Sequence, residues 1–183
     1  MNEKKYRLSI DPRILELLGP NLYTNIYYVL AELIANAYDA DAHNVYIISN
    51  PDNITVEDDG SGMSYKEGDV NKFLNVAGIS RTGEEDALST RLKRKKMGRK
   101  GVGKLAALSV SEEVEVMTIK NGEKSGFVLS RHPQRDYLQS IPEDKVSLSK
   151  VDGNGTSIVM RHPQYRLNKT LSAVKRNLIK IFP

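Results

Sequence analysis

Apolar side chains at Ile26, Val29, Leu30, Leu33, Ile34 and Ala37 recur at three- and four-residue intervals, the period of a helix with one buried face. The stretch predicts a helix capped by Asn21 or Thr24 and ending near Ala40. Val45–Ser49 and Ile54–Asp58 read as strands, and the turn signal Pro51-Asp52-Asn53 between them predicts a hairpin. Tyr6–Ile10 alternates like a short strand. Asp11-Pro12 then reads as the start of a helix that ends near Gly19-Pro20. Ser64 opens a predicted helix through Val70, Phe73, Leu74 and Ala77, and Val102–Val110 predicts another. Val114–Ile119, Phe127–Arg131 and Thr156–Arg161 read as strands. Leu171, Val174, Leu178 and Ile181 mark a final amphipathic helix over Leu167–Ile181.

Strands do not alternate regularly with helices in this order. The pattern predicts an α+β fold, a two-layer sandwich with a mostly antiparallel sheet and helices on one face, and argues against a doubly wound parallel sheet. A length of 183 residues suits one domain over 1–183. The stretch from about 78 to 99 is polar, glycine-punctuated and without apolar periodicity, as expected of a lid or binding loop. Arg-His-Pro-Gln occurs at 131–134 and again at 161–164, each time after a predicted strand that the proline would end.

Composition narrows the classes. There is no cysteine, which excludes a disulfide framework and a Cys-ligated metal site. No apolar run reaches the roughly 20 residues of a membrane-spanning helix, and no signal-peptide core follows Met1, so a cytoplasmic protein without a membrane partner is the expectation. The net charge is +4. Eight basic residues and no acid lie between Arg91 and Lys104, which fits either a solvated loop or one facing phosphate, of a nucleotide or of nucleic acid. His43, His132 and His162 fall in turns or after strands and read as structural.

Three stretches carry chemistry. Glu32, Asn36 and Asp39 occupy positions i, i+4 and i+7 of the first long helix, within about 40° of one another around its axis. Ile34, Ala35 and Ala37 make that helix apolar nearly all round, so the polar stripe is expected to face a cavity. Asp58-Asp59-Gly60-Ser61-Gly62-Met63 follows a strand, and its two glycines let backbone approach a ligand closely. Gly98-Arg99-Lys100-Gly101-Val102-Gly103-Lys104 opens a helix, where exposed N–H groups and basic side chains favour an anion. Leu105 stands where a P-loop needs a hydroxyl, and no apolar strand precedes the motif, so a P-loop is disfavoured. The glycine spacing also fails the dinucleotide fingerprint.

In this order the three motifs resemble the GHKL ATPase superfamily of gyrase, the ninety-kilodalton heat-shock chaperone, histidine kinases and MutL proteins, whose fold is the Bergerat ATP-binding fold. Glu32 to Ala40 is similar to the family's Asn-bearing helix, Asp58 to Met63 to its Asp-x-Gly-x-Gly loop, Gly98 to Gly103 to its second glycine loop, and Gly155-Thr156 to the Gly-Thr of a late strand. The resemblance spans roughly residues 6–162. It implies ATP and magnesium as ligands. Glu32 would be the general base and Asn36 the magnesium ligand. Asp39 would border the base and ribose. Asp58 would accept the adenine amino hydrogen bond, with Gly60 and Gly62 shaping its loop and Met63 packing on the ring. Gly98, Arg99, Lys100, Gly101, Val102, Gly103 and Lys104 would wrap the phosphates, and Thr156 would support Asp58. Ser80 and Arg81 fall in the lid over Ile79 to Met97.

The Asn-Ala-Tyr-Asp-Ala ending resembles the chaperone, MutL and MORC branches more than the histidine kinases, which remain an alternative. The resemblance implies an ATP-operated switch with nucleotide-dependent homodimerisation. It also implies slow hydrolysis, because hydrolytic members use a lysine from a downstream domain and this chain reads as a fragment of a longer protein. The other class is a nucleic-acid-binding module that uses the basic 91–104 segment.

Overall fold

A computed structural model describes residues 4–9, 23, 25–75, 91–97, 103–132, 137–167 and 170–182 of the chain. Helix α1 (Ile26–Asp39) buries Ile26, Val29, Leu30 and Leu33, as its periodicity predicts. Its cap is Asn25, whose side-chain oxygen accepts the N–H of Tyr27 at 2.9 Å. Asn21 and Thr24 lie outside the described residues. Strands β1 (Val45–Ser49) and β2 (Asn53–Asp58) form the expected antiparallel hairpin.

The chain between β2 and the next helix departs from expectation. No helix starts at Ser64. Residues 65–68 form a turn, Gly68 takes a left-handed φ of 81°, and α2 spans only Asp69–Leu74. The Ser64 hydroxyl donates to Glu123 at 2.6 Å, and the Tyr65 N–H donates to the same carboxylate at 3.0 Å. These bonds hold the backbone away from helical geometry. The segment after Val102 is a 3-10 helix, Gly103–Ser109, with Leu105, Ala106, Ala107 and Leu108 buried.

Four further strands follow: β3 (Glu113–Lys120), β4 (Glu123–Ser130), β5 (Gln139–Ser140) and β6 (Gly155–Arg161). Polar Glu123 to Ser125 hid the start of β4. Helix α3 (Leu171–Ile179) is shorter than the expected 167–181 because the Thr170 hydroxyl caps it, accepting the N–H of Ala173 at 3.3 Å. Tyr6–Ser9 is not a sheet strand; Ser9 makes an isolated bridge to Asn75. The helix expected over 11–19 lies outside the described residues.

The sheet order is β1-β2-β6-β3-β4-β5, antiparallel throughout, in an α+β sandwich. Register places three rows of side chains on the face under the helices. Ile54, Met160, Val114 and Leu129 form one, and Val56, Ile158, Val116 and Phe127 the next. All of these are buried in one core with α1, α2 and the 3-10 segment. The third row is Asp58, Thr156, Thr118 and Ser125. Strand periodicity keeps it on the same face, so the apolar layer turns polar at one end of the sheet. The other face carries a strap over 141–150. There Val146 is buried, and the buried carboxylate of Glu57 accepts the N–H groups of Ser149 at 2.9 Å and Lys150 at 2.5 Å.

Candidate functional site

On α1, Glu32, Asn36 and Asp39 are half-buried rather than exposed, which fits a stripe facing other protein. The Asn36 side-chain amide nitrogen is buried and has no hydrogen-bond partner among the described residues. Such a group costs about 1–3 kcal/mol unless something satisfies it. Tyr23 donates its hydroxyl to Glu32 Oε1 at 3.4 Å. Burial, followed by the Glu32 charge and this hydrogen bond, raises the Tyr23 pKa and keeps the phenol protonated. Asp39 Oδ1 accepts the N–H of Met97 at 2.7 Å.

Asp58 ends β2 at the polar end of the helix-covered face. Burial pushes its carboxyl up to about 6; the N–H groups of Gly60 and Thr156 oppose this, while the charges of Asp59 and Glu57 add to it. Asp59 turns away. Its carboxylate accepts the N–H groups of His43 at 2.7 Å and Asn44 at 2.8 Å, and the Asn44 amide at 2.8 Å. Burial alone would raise its pKa, but these bonds hold it below the usual carboxylate value.

The glycine loop lies directly on the end of α1. Ser61 donates its N–H to the Ala40 carbonyl at 2.8 Å, and a Cβ on Gly60 would stand 2.8 Å from that same oxygen. Gly62 has a φ of +65°, and its Cβ would meet the Ile119 carbonyl oxygen at 2.0 Å, so no side chain fits there. Met63 is half-buried against the core, and its N–H donates to Thr118 Oγ1 at 2.9 Å. Thr118 Oγ1 lies 3.2 Å from Thr156 Oγ1.

Of the second glycine motif, Gly103 and Lys104 start the 3-10 segment that packs against α1. Gly98, Arg99, Lys100, Gly101 and Val102 lie outside the described residues, as do Ser80 and Arg81. The structure therefore brings the Glu32–Asn36–Asp39 helix together with the Asp58–Met63 loop, and with the end of the Gly98–Lys104 stretch.

The first part of the basic segment, residues 91–97, is docked against the turn after α1. Asp41 is buried, with a φ of 63°, and its carboxylate accepts the N–H groups of Arg91 at 2.7 Å and Leu92 at 3.2 Å. Arg91 returns a guanidinium bond to the Asp41 carbonyl at 3.0 Å. Arg94 donates to the Ala42 carbonyl at 2.8 Å and lies over the Tyr38 ring at 4.8 Å. Among the described residues, Arg91 and Arg94 are thus engaged within the chain. Asp41, Thr118, Glu57 and Glu123 escaped the sequence reading. Only Asp41 carried a signal, standing beside the Asn36–Asp39 motif.

Residues 23–156 match the family of "Histidine kinase-, DNA gyrase B-, and HSP90-like ATPase" proteins, well over half of the chain. The chain belongs to this family. Within it, the chain is 30% identical to the "Putative type II restriction enzyme HgiDII" of Herpetosiphon aurantiacus, over 100% of the chain and 30% of that protein. It is 33% identical to the "Chaperone protein HtpG" of Vesicomyosocius okutanii subsp. Calyptogena okutanii, over 81% of the chain and 27% of the relative. HtpG of Paramagnetospirillum magneticum is 28% identical over 79% of the chain and 27% of its own length. The chain spans less than a third of each of these relatives.

The polar residues fit the family's ligands. Among the described residues no cluster of three His, Asp or Glu side chains could cage a metal. A single amide ligand suits Mg2+, which is commonly held by one or two protein groups together with substrate phosphates. Asn36 offers such a ligand only through its side-chain oxygen; its amide nitrogen, without a partner among the described residues, is a donor, which suits an acceptor such as a phosphate oxygen. A cavity of about 410 Å3 opens elsewhere, at the opposite end of the strands, between Asn50–Asp52 and His162–Arg166; no motif residue lines it. No described helix is long and apolar enough to cross a membrane.

Proposed function

We propose that this domain binds Mg-ATP between α1 and the Asp58–Met63 loop and hydrolyses it slowly, with nucleotide binding acting as a conformational switch that favours pairing of two copies. The observation that carries the reading is the buried amide nitrogen of Asn36, without a hydrogen-bond partner among the described residues, one helical turn from Glu32 on a helix whose end holds the glycine loop.

Each residue then has a task. Asp58, as carboxylate, accepts a hydrogen from the adenine amino group at the polar end of the sheet. Met63 borders the ring, and Asp39 stands at the end of α1 towards the base and ribose. Gly103 and Lys104 open the segment expected to meet the phosphates, together with Gly98 to Val102. Asn36 would hold magnesium jointly with phosphate oxygens, and the ion would supply charge neutralisation as the terminal phosphoryl group leaves. Glu32 would take the proton of the attacking water, with one carboxylate oxygen oriented by Tyr23. Geometry and electrostatics supply most of the rate in this chemistry.

The test separates binding from turnover. Glu32→Ala is expected to keep Mg-ATP affinity within about threefold while phosphate release falls by about 100-fold or more. Retained hydrolysis in Glu32→Ala would remove Glu32 from the role of base. Sedimentation with a non-hydrolysable ATP analogue tests the switch: a shift towards dimer is expected, and an unchanged monomer would contradict it.

A further inference from the structure

We infer that Thr118, a buried β3 residue outside every motif, is a specificity-determining residue that fixes Thr156 as a hydrogen-bond acceptor beside Asp58 and thereby selects adenine over guanine. The inference rests on the reading of Asp58 as the group that faces the adenine amino group.

A threonine hydroxyl has one proton and two lone pairs. Thr118 Oγ1 accepts the N–H of Met63 at 2.9 Å and donates to the Gly155 carbonyl at 3.0 Å. Its single proton is then committed. With that proton on the Gly155 carbonyl, the remaining neighbour, Thr156 Oγ1 at 3.2 Å, is placed to donate its own proton to Thr118. In this arrangement Thr118 is fully satisfied, and Thr156 presents lone pairs only. Thr156 is the cross-strand partner of Asp58, and Thr118 that of Thr156, in the polar row that ends the helix-covered face.

Two neighbouring acceptors, the Asp58 carboxylate and the Thr156 oxygen, suit an amino group. Guanine presents a carbonyl oxygen where adenine has its amino group. That oxygen would face acceptors with no proton between them, an unpaired arrangement that a polar site rejects strongly. Without the Thr118 hydroxyl, the Thr156 proton is free to turn outward and donate to the guanine oxygen. The same change leaves the Met63 N–H without its acceptor, which loosens the end of the glycine loop.

The experiment measures ATP and GTP affinities of the whole chain and of Thr118→Val and Thr118→Ser. In Thr118→Val the preference for ATP over GTP is expected to fall by about tenfold, the loss of one hydrogen-bond orientation. Thr118→Ser, which keeps the hydroxyl, is expected to restore it. If Thr118→Val does not melt cooperatively, Thr118→Cys is used instead, with sulfur as a weak substitute for the hydroxyl, and the same loss is expected. A folded Thr118→Val with undiminished preference overturns the inference and leaves the nucleotide site standing. Loss of preference in Thr118→Ser as well also overturns it, because the methyl environment would then be responsible. An unaltered chain that binds neither nucleotide sinks the proposed function, and this inference with it.

Discussion

Ser61 donates its backbone N–H to the carbonyl oxygen of Ala40 at 2.8 Å, which joins the glycine loop after β2 to the end of α1. The bond requires a bare backbone beside it, since a Cβ on Gly60 would come within 2.8 Å of both Ala40 O and Asp58 Oδ1. Gly60→Ala is therefore expected to destabilise the domain by about 1–3 kcal/mol. Gly62→Ala should cost about 1 kcal/mol more, because its Cβ would meet the Ile119 carbonyl oxygen at 2.0 Å in a left-handed conformation. Urea unfolding of both variants checks the order; equal or negligible losses would mean that the loop does not sit on the helix.

Asp58 makes stability depend on pH in a direction opposite to that of an ion-paired carboxylate. Its folded pKa of about 6 lies above the ordinary 3.8, so between these values the folded protein keeps a proton that the unfolded chain releases. Its contribution is therefore most favourable in acid and declines as pH rises through that window, by about 3 kcal/mol in total. Asp58→Asn removes the group from the titration. Relative to the parent, the variant should gain stability between pH 4 and pH 7.5. A difference that stays flat with pH would show that Asp58 titrates normally.

Asp41 should fasten residues 91–97. Its carboxylate takes two backbone N–H groups, and its carbonyl takes the Arg91 guanidinium. Asp41→Ala is expected to cost about 2–3 kcal/mol and to speed trypsin cleavage after Arg91, Lys93 and Arg94. Asp41→Asn keeps one acceptor oxygen and tolerates the left-handed φ, so it should fall between the two. An unchanged cleavage pattern in Asp41→Ala would contradict the docking.

Much of this architecture is legible in the residues themselves. The three- and four-residue spacing of α1 identifies its buried face, and Ile54, Val56 and Asp58 alternate along β2 as their burial requires. The motif helix and the Asp58–Met63 loop are recognisable because their chemistry is local. What escapes is set by contacts distant in sequence. Glu123 holds Ser64 and Tyr65 from nearly 60 positions away and delays α2 to Asp69. Glu57 alternates outward like a solvated strand residue, yet it is buried because the 149–150 backbone closes over it. Thr118 looks like any β-branched strand residue until register sets it beside Thr156.

The most direct test of the account is hydrogen exchange of the chain with and without Mg-ATP, read over residues 28–40, 58–63 and 103–109. Nucleotide is expected to slow exchange in all three stretches together, and the Asp58→Asn variant to lose that joint protection at the same ATP concentration. Protection of one stretch while the other two exchange as in the free chain would contradict a single nucleotide site formed by all three.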